Sequence, residues 1–304
     1  MKKTWRIVLP ALLVGSFISF ADTKDKREIN DKAVTEEICP CEMEGMDPEE
    51  AYNRSMANAG VSQQVSKETP KYLNPNIPIE ERIDDLLPRL TLEEKVIQLS
   101  DSWGSKGIAR LKIPAMLKTE GLHGQSYATG STIFPHGINM GSTFDTELIQ
   151  EVGKATAIEA KAANLRVSWS PVLDVARDAR WGRVEETYGE DPYLVGRIGV
   201  AWIKGFQGEH MFACPKHFAG HGQPVGGRDS HDYGLSDRVM RNIHLAPFRD
   251  VIKEANAFGV MAAYGLWNGV PDNGSKELLQ KILREEWGFE GFVVSDCSGP
   301  ENIQ

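Results

Sequence analysis

Several things are scarce in this chain, and each scarcity excludes a class. Only four cysteines occur in 304 residues, so no disulfide scaffold is implied. Basic residues are outnumbered, 34 against 43 acidic, for a formal charge of −9. That balance argues against a nucleic-acid groove or an anionic membrane surface as partner. There is no P-loop, no G-x-G-x-x-G fingerprint and no Cys/His cluster with zinc spacing, so no cofactor or metal is expected. The long apolar run, Ile7 to Phe20, is too short for a membrane span. Lys2-Lys3 precede it and Ser19-Phe20-Ala21 offers a small-x-small cleavage site, the pattern of an export signal over residues 1–21. A periplasmic or extracellular location follows, with no membrane span after cleavage.

Residues 22–78 are polar and read as a mostly irregular leader with some helix near Pro48–Ala57. Cys39 and Cys41 lie in it, whereas Cys214 and Cys297 fall at expected strand ends, where packing explains them better than redox. The folded domain is expected over 79–304. Thr91-Leu-Glu-Glu94 is a capping box that starts a helix. Beyond Ile113 strand and helix alternate. Strands are expected at Ala115–Thr119, Phe134–Met140, Arg166–Asp174, Met211–His217, Gly259–Tyr264 and Phe292–Asp296. The clearest helices are Thr146–Ala163, Pro192–Gly205, Ser236–Ala255 and Ser275–Trp287. Alternation of this kind predicts a parallel α/β sheet, and polar residues after nearly every strand favour a (β/α)8 TIM-type barrel over an open sheet. Six strands are visible where such a barrel needs about eight, so the barrel reads as incomplete at the C-terminus.

The strand ends carry the chemistry. Thr119-Glu120-Gly121-Leu122-His123-Gly124 places a carboxylate and an imidazole between glycines. Arg177 to Asp191 packs three arginines among five carboxylates, too dense for a solvated face and better read as an interlocked network with one arginine left for a ligand. Lys216-His217 would point to opposite faces unless the strand ends there. His217 and His221 are four apart, but neighbouring glycines make the helix that a metal pair would need improbable. Tyr264 and Asp296 close two further strands. Glu120, Arg177, Lys216, His217, Tyr264 and Asp296 together offer many donors and few acceptors, which suits a ligand covered in hydroxyls.

Three motifs carry a resemblance: SPVLDVARDARWGRVEETYGEDPYLVG (Ser170–Gly196), KHFAGHG (Lys216–Gly222) and LLQKILREEWGFEGFVVSD (Leu278–Asp296). From about Ile79 onward the chain resembles the N-terminal catalytic domain of glycoside hydrolase family 3, the β-glucosidase and β-xylosidase family. The resemblance implies an exo-acting retaining β-glycosidase with Asp296 as nucleophile. Arg177, Lys216 and His217 would hold sugar hydroxyls, with Glu120 where many members have Asp and Tyr264 beside the nucleophile. In most members the acid/base glutamate comes from a second, α/β sandwich domain. The hexosaminidase branch uses an Asp/His pair instead, and Asp229-Ser230-His231 is the counterpart here, displaced by the Gly226-Gly227-Arg228 insert. A β-N-acetylhexosaminidase using Asp229 and His231 is therefore the alternative, beside a metal-dependent barrel hydrolase and a non-catalytic carbohydrate-binding fragment. Glu120 and Cys297 both resemble xylosidase-type members. A β-linked oligosaccharide or glycoside is the expected partner; the oligomeric state is open.

Overall fold

A computed structural model describes residues 69–100 and 104–303. The export signal, the leader up to residue 68 with its expected helix, and Cys39 and Cys41 lie outside the described residues. Two units are distinguished. The smaller comprises, among described residues, 69–89 and 109–112. In it a short 3-10 turn (Lys71–Leu73) precedes helix α1 (Ile79–Leu86). Tyr72 organises this unit: its hydroxyl donates to the Leu111 carbonyl (2.9 Å), and its backbone N–H donates to Asp85 (3.1 Å). Arg89 pairs with Asp85 at 2.8 Å and lies over the Tyr72 ring.

The larger unit, from Leu90, carries the sheet. Helix α2 (Leu92–Ser100) opens with the capping box: Thr91 N–H donates to Glu94 Oε2 (2.8 Å) and Glu94 N–H to Thr91 Oγ1 (3.2 Å). Strand β1 (Gly104–Ser105) pairs antiparallel with β2 (Met116–Thr119). From β2 the sheet is parallel, through β3 (Val167–Ser168) to β4 (Phe212–Ala213). Single bridges carry it onward, Val172 to Lys216 and Phe218 to Ala262. Strand β5 (Gly259–Ala262) then pairs in parallel with β8 (Phe292–Ser295), after a small hairpin of β6 (Leu266–Trp267) and β7 (Val270–Pro271). Five parallel strands thus follow one another in chain order, the βα arrangement of a barrel wall.

Alternation along these strands separates two cores. Met261, Phe292, Val294, Cys214, Val167 and Trp169 cluster on one face. Val260, Val293 and Ala213, their neighbours in sequence, pack with the helices on the other. A sheet buried on both faces needs such uninterrupted apolar strands. The helical layer is dominated by α4 (Thr146–Ala162) against α5 (Pro192–Gly208), after the short α3 (Gly137–Gly141). A Cβ on Gly153 would overlap the Trp202 carbonyl, and one on Gly205 the Gln150 carbonyl, so both glycines set how closely these helices approach. Asp145 and Asp191 cap them, accepting from Leu148 and Leu194 N–H.

Two expectations need correction. Phe134–Met140 is not a strand; it runs into α3. Pro135 cannot donate to a ladder, and Gly137 and Gly141 press the helix backbone onto the carbonyls of Glu186 and Tyr188. The single helix expected over Ser236–Ala255 is broken: a turn at Asp237–Val239, a π-type turn at Met240–His244, then α6 (Ala246–Ala255). Pro247, in the first turn of α6, has no N–H for the Ile243 carbonyl, and the ladder re-registers there. The helix Lys276–Glu286 is π-type and capped by Ser275, which accepts from Leu278 N–H. No described helix is long and apolar enough to cross a membrane.

Candidate active site

Glu120 follows β2, Asp174 follows the Val172 bridge, Lys216 and His217 follow β4, Tyr264 follows β5 and Asp296 follows β8. In a parallel sheet these carboxyl ends share one rim. Lys216 is 4% exposed and its ammonium meets Glu120 Oε2 at 2.8 Å, so a buried cation has its counter-ion. His217 Nε2 lies 3.4 Å from Asp296 Oδ2. The Tyr264 hydroxyl is hydrogen-bonded with Asp296 and Cys297. Burial and the Asp296 charge push its acidity down, so the phenol remains a donor. The structure therefore brings Glu120, Lys216, His217, Tyr264 and Asp296 into one cluster.

Asp296 is held asymmetrically. Its backbone N–H donates to the Ala262 carbonyl at 3.1 Å, which ties it to the neighbouring strand. Oδ1 accepts from Cys297 N–H at 2.8 Å. Oδ2 is buried and has no hydrogen-bond partner among the described residues.

Beneath it lies a pair that sequence reading did not single out. His217 Nδ1 faces Asp174 Oδ2 at 2.6 Å, and both side chains are 1% exposed. Burial, reinforced by the charges of His221, Arg183 and Lys216, pushes the His217 pKa well below its usual value. Burial likewise raises Asp174, to about 6, against the pull of His221 and Arg183. The backbone N–H of His217 also points at Asp174 Oδ2 (3.3 Å), so above that pH the carboxylate accepts and Nδ1 carries the imidazole proton. Nε2 is then an acceptor, and Arg183 NH2 donates to it at 3.1 Å.

Arg177 does not occupy this place. It is exposed, its backbone N–H donates to the Gly222 carbonyl, and its charge bears on His244. Arg183 takes the position beside His217. Glu186 grips its guanidinium through two bonds of 2.9 Å, to Nε and NH2, and NH1 lies 3.3 Å from His221 Nε2. The expected charge network is thus a set of local pairs, Arg180 with Asp178 and Arg183 with Glu186, plus Asp191 as a helix cap. No local sequence pattern separated Arg183 from Arg177; the contacts to Glu186 and His217 do.

The proposed Asp229/His231 pair is not formed. Asp229 Oδ1 accepts instead from Trp181 Nε1 (2.7 Å) and faces His221 Nε2 (3.0 Å). His231 is exposed, and its Nδ1 accepts from the Asp232 N–H. The loop carrying Gly226 and Gly227, both with positive φ, turns Asp229 back toward the Trp181 turn; a Cβ at Gly227 would overlap Arg180. Among the described residues no cluster could hold a metal ion.

Residues 91–304 match the glycosyl hydrolase family 3 N-terminal domain. The chain belongs to this family. A β-xylosidase of Formosa agariphila is 40% identical, with 73% of this chain aligned to 32% of that protein. A β-glucosidase of Rhizobium radiobacter is 38% identical over 71% of this chain and 27% of that protein. The crystal structure of the Kluyveromyces marxianus β-glucosidase in complex with glucose is 38% identical, covering 71% of this chain and 27% of that one, at a TM-score of 0.67. The chain thus spans about a third of the length of the curated relatives it matches. The family's N-terminal domain is a TIM-barrel-like α/β fold, in keeping with the five parallel strands seen here.

Proposed function

We propose that this chain supplies the nucleophile and the sugar-binding groups of an exo-acting retaining β-glycosidase that releases terminal β-D-xylosyl or β-D-glucosyl residues. The observation that carries the reading is the asymmetry of Asp296. A nucleophilic carboxylate needs one oxygen anchored and the other free of a hydrogen bond; Oδ1 accepts from Cys297 N–H, while Oδ2, 3.4 Å from His217 Nε2, has no hydrogen-bond partner among the described residues. Oδ2 attacks the anomeric carbon through an oxocarbenium-like transition state, the glycosidic oxygen leaves with a proton, and water then cleaves the glycosyl ester.

Recognition follows from the donor set. Lys216 and Arg183 present N–H groups to hydroxyl oxygens, and Glu120 accepts from hydroxyls while neutralising Lys216. Tyr264 steadies Asp296. The acid that protonates the leaving oxygen is assigned, by family resemblance, to a glutamate of a second domain rather than to His231. The relatives named β-xylosidase and β-glucosidase support both sugars. Glu120 favours xylose, because the extra methylene of Glu over Asp reaches into space that a hydroxymethyl group needs.

Incubation with 2-deoxy-2-fluoro-β-xyloside and -glucoside, followed by peptide mass spectrometry, tests the mechanism. A sugar ester on Asp296, absent in Asp296→Asn, is expected. Labelling at another carboxylate would overturn the assignment.

A further inference from the structure

Tyr264, whose hydroxyl bonds to Asp296, is followed by a glycine, the residue with the most backbone freedom. Groups from two other loops remove that freedom. Gly265 N–H donates to the Tyr233 hydroxyl at 3.1 Å, and the Gly265 carbonyl accepts from Asp272 N–H at 3.0 Å. Having accepted from Gly265, the phenol gives its own proton to Asp272 Oδ2, 2.8 Å away. Asp272 therefore holds Gly265 twice, once through its backbone and once through Tyr233. The Tyr233 ring stands where a Cβ on residue 265 would lie, so this approach needs the glycine. On the other side of Tyr264, Asn273 Nδ2 donates to the Ala263 carbonyl at 2.7 Å. Asn273 also lies so close to Gly299 that it leaves no room for a Cβ there, and Gly299 N–H donates to the Asp296 carbonyl at 2.9 Å. One turn thus touches both neighbours of Tyr264 and the turn that follows Asp296.

A carboxyl group is a costly side chain at position 272. Asp272 is fully buried, its Oδ1 has no hydrogen-bond partner among the described residues, and burial pushes its pKa well above the usual carboxylate range despite the Tyr233 bond. A buried polar group of this kind has to make a contact that an apolar residue cannot. The Tyr233 hydroxyl is that contact. We propose that Asp272 is a positioning residue: by orienting the Tyr233 hydroxyl it fixes Gly265, and so holds the Tyr264 phenol against the carboxylate of Asp296. What Tyr264 does for Asp296 rests on the glycosidase reading; the tether itself does not.

Two readouts test it. The chain has seven tyrosines, so 13Cζ-tyrosine labelling gives a small spectrum, with Tyr264→Phe identifying the Tyr264 signal. Asp296→Asn shows how far that signal moves when the carboxylate is lost. Tyr233→Phe, which keeps the ring, and Asp272→Ala should move it in the same direction. Asp272→Asn, which keeps an accepting oxygen, should leave it in place. The second readout is the rate of labelling by dinitrophenyl 2-deoxy-2-fluoro-β-xyloside and -glucoside, whose leaving group departs without a proton. The rate should fall about tenfold in Tyr264→Phe, Tyr233→Phe and Asp272→Ala, the scale of one charge-assisted hydrogen bond, and stay within about twofold of wild type in Asp272→Asn. The double variant Tyr233→Phe/Tyr264→Phe should label no more slowly than Tyr264→Phe, because the Tyr233 hydroxyl acts only through Tyr264. A merely structural bond would lower the melting temperature without moving the Tyr264 signal. Near-UV circular dichroism establishes that each variant is folded, and Tyr233→Phe decides alone if Asp272→Ala does not fold. An unmoved Tyr264 signal in folded Tyr233→Phe, or losses that multiply in the double variant, overturns the proposal. A moved signal in a chain that neither sugar labels upholds the tether and refutes the glycosidase reading instead.

Discussion

Asp174 Oδ2 and His217 Nδ1 lie 2.6 Å apart, both side chains essentially out of water, directly behind the carboxylate of Asp296. This pair fixes the His217 tautomer, and through it the orientation of Arg183. Asp174→Asn presents an amide that can donate to Nδ1 and drive the proton to Nε2, against Arg183. The expected outcome is a kcat/KM lower by roughly 100-fold, the scale of breaking one buried charge-assisted bond, with little change in helical content. Steady-state kinetics beside circular dichroism would show it. Unimpaired turnover would remove the pair from the mechanism.

Arg183 and Arg177 can be told apart directly. Arg183→Ala removes the group bonded to Glu186 and His217, and kcat/KM should fall by about 100-fold or more. Arg177→Ala alters an exposed side chain and should stay within about threefold. Equal losses would return Arg177 to the site.

Glu120→Asp shortens the carboxylate that meets Lys216. If Glu120 excludes the hydroxymethyl group, the ratio of p-nitrophenyl xyloside to glucoside turnover should shift toward glucoside by about tenfold, the range of a methylene-sized change in a pocket. An unchanged ratio places the selection elsewhere.

Stability should fall on acidification through His244. Burial, with a contribution from the Arg177 charge, lowers its pKa to about 4 from 6.5. The unfolded chain binds the proton first, so the contribution is complete above pH 6.5 and is lost as pH falls toward 4. At 1.36 kcal/mol per unit it amounts to roughly 3 kcal/mol. Asp174, raised to about 6 by burial, has the opposite sign: its contribution is present below pH 3.8 and disappears as pH rises through 6. Thermal melts from pH 4 to 8 should show a shallower acid slope for His244→Gln than for wild type. Parallel curves would show that His244 does not govern it.

Gly265 abuts Tyr233, whose hydroxyl donates to Asp272 (2.8 Å) and accepts from Gly265 N–H (3.1 Å). A Cβ at 265 would overlap the phenol ring. Gly265→Ala should cost about 1–3 kcal/mol and lower the melting temperature by several degrees. A melt within about one degree of wild type would mean that the ring moves aside freely.

What was legible in the sequence was local. The capping box at Thr91–Glu94, the strand Phe292–Ser295 and the polar residues placed after strands depend on short-range periodicity and on backbone groups a few residues apart. Glu120, Lys216, His217, Tyr264 and Asp296 could be gathered because βα alternation sends every strand end to the same rim. The folded chain decided the rest. Arg177 and Arg183 share a loop without periodicity, and only the path of that loop past Glu186 and His217 distinguishes them. Asp229 stands two residues from His231 yet bonds to Trp181 and His221, 48 and eight positions away, because glycines turn its loop inward. Phe134–Met140 has the composition of a strand, but its glycines are required where α3 meets the backbone of Glu186 and Tyr188. Sequence reports what neighbours in the chain dictate; partners chosen by packing appear only when the chain is folded.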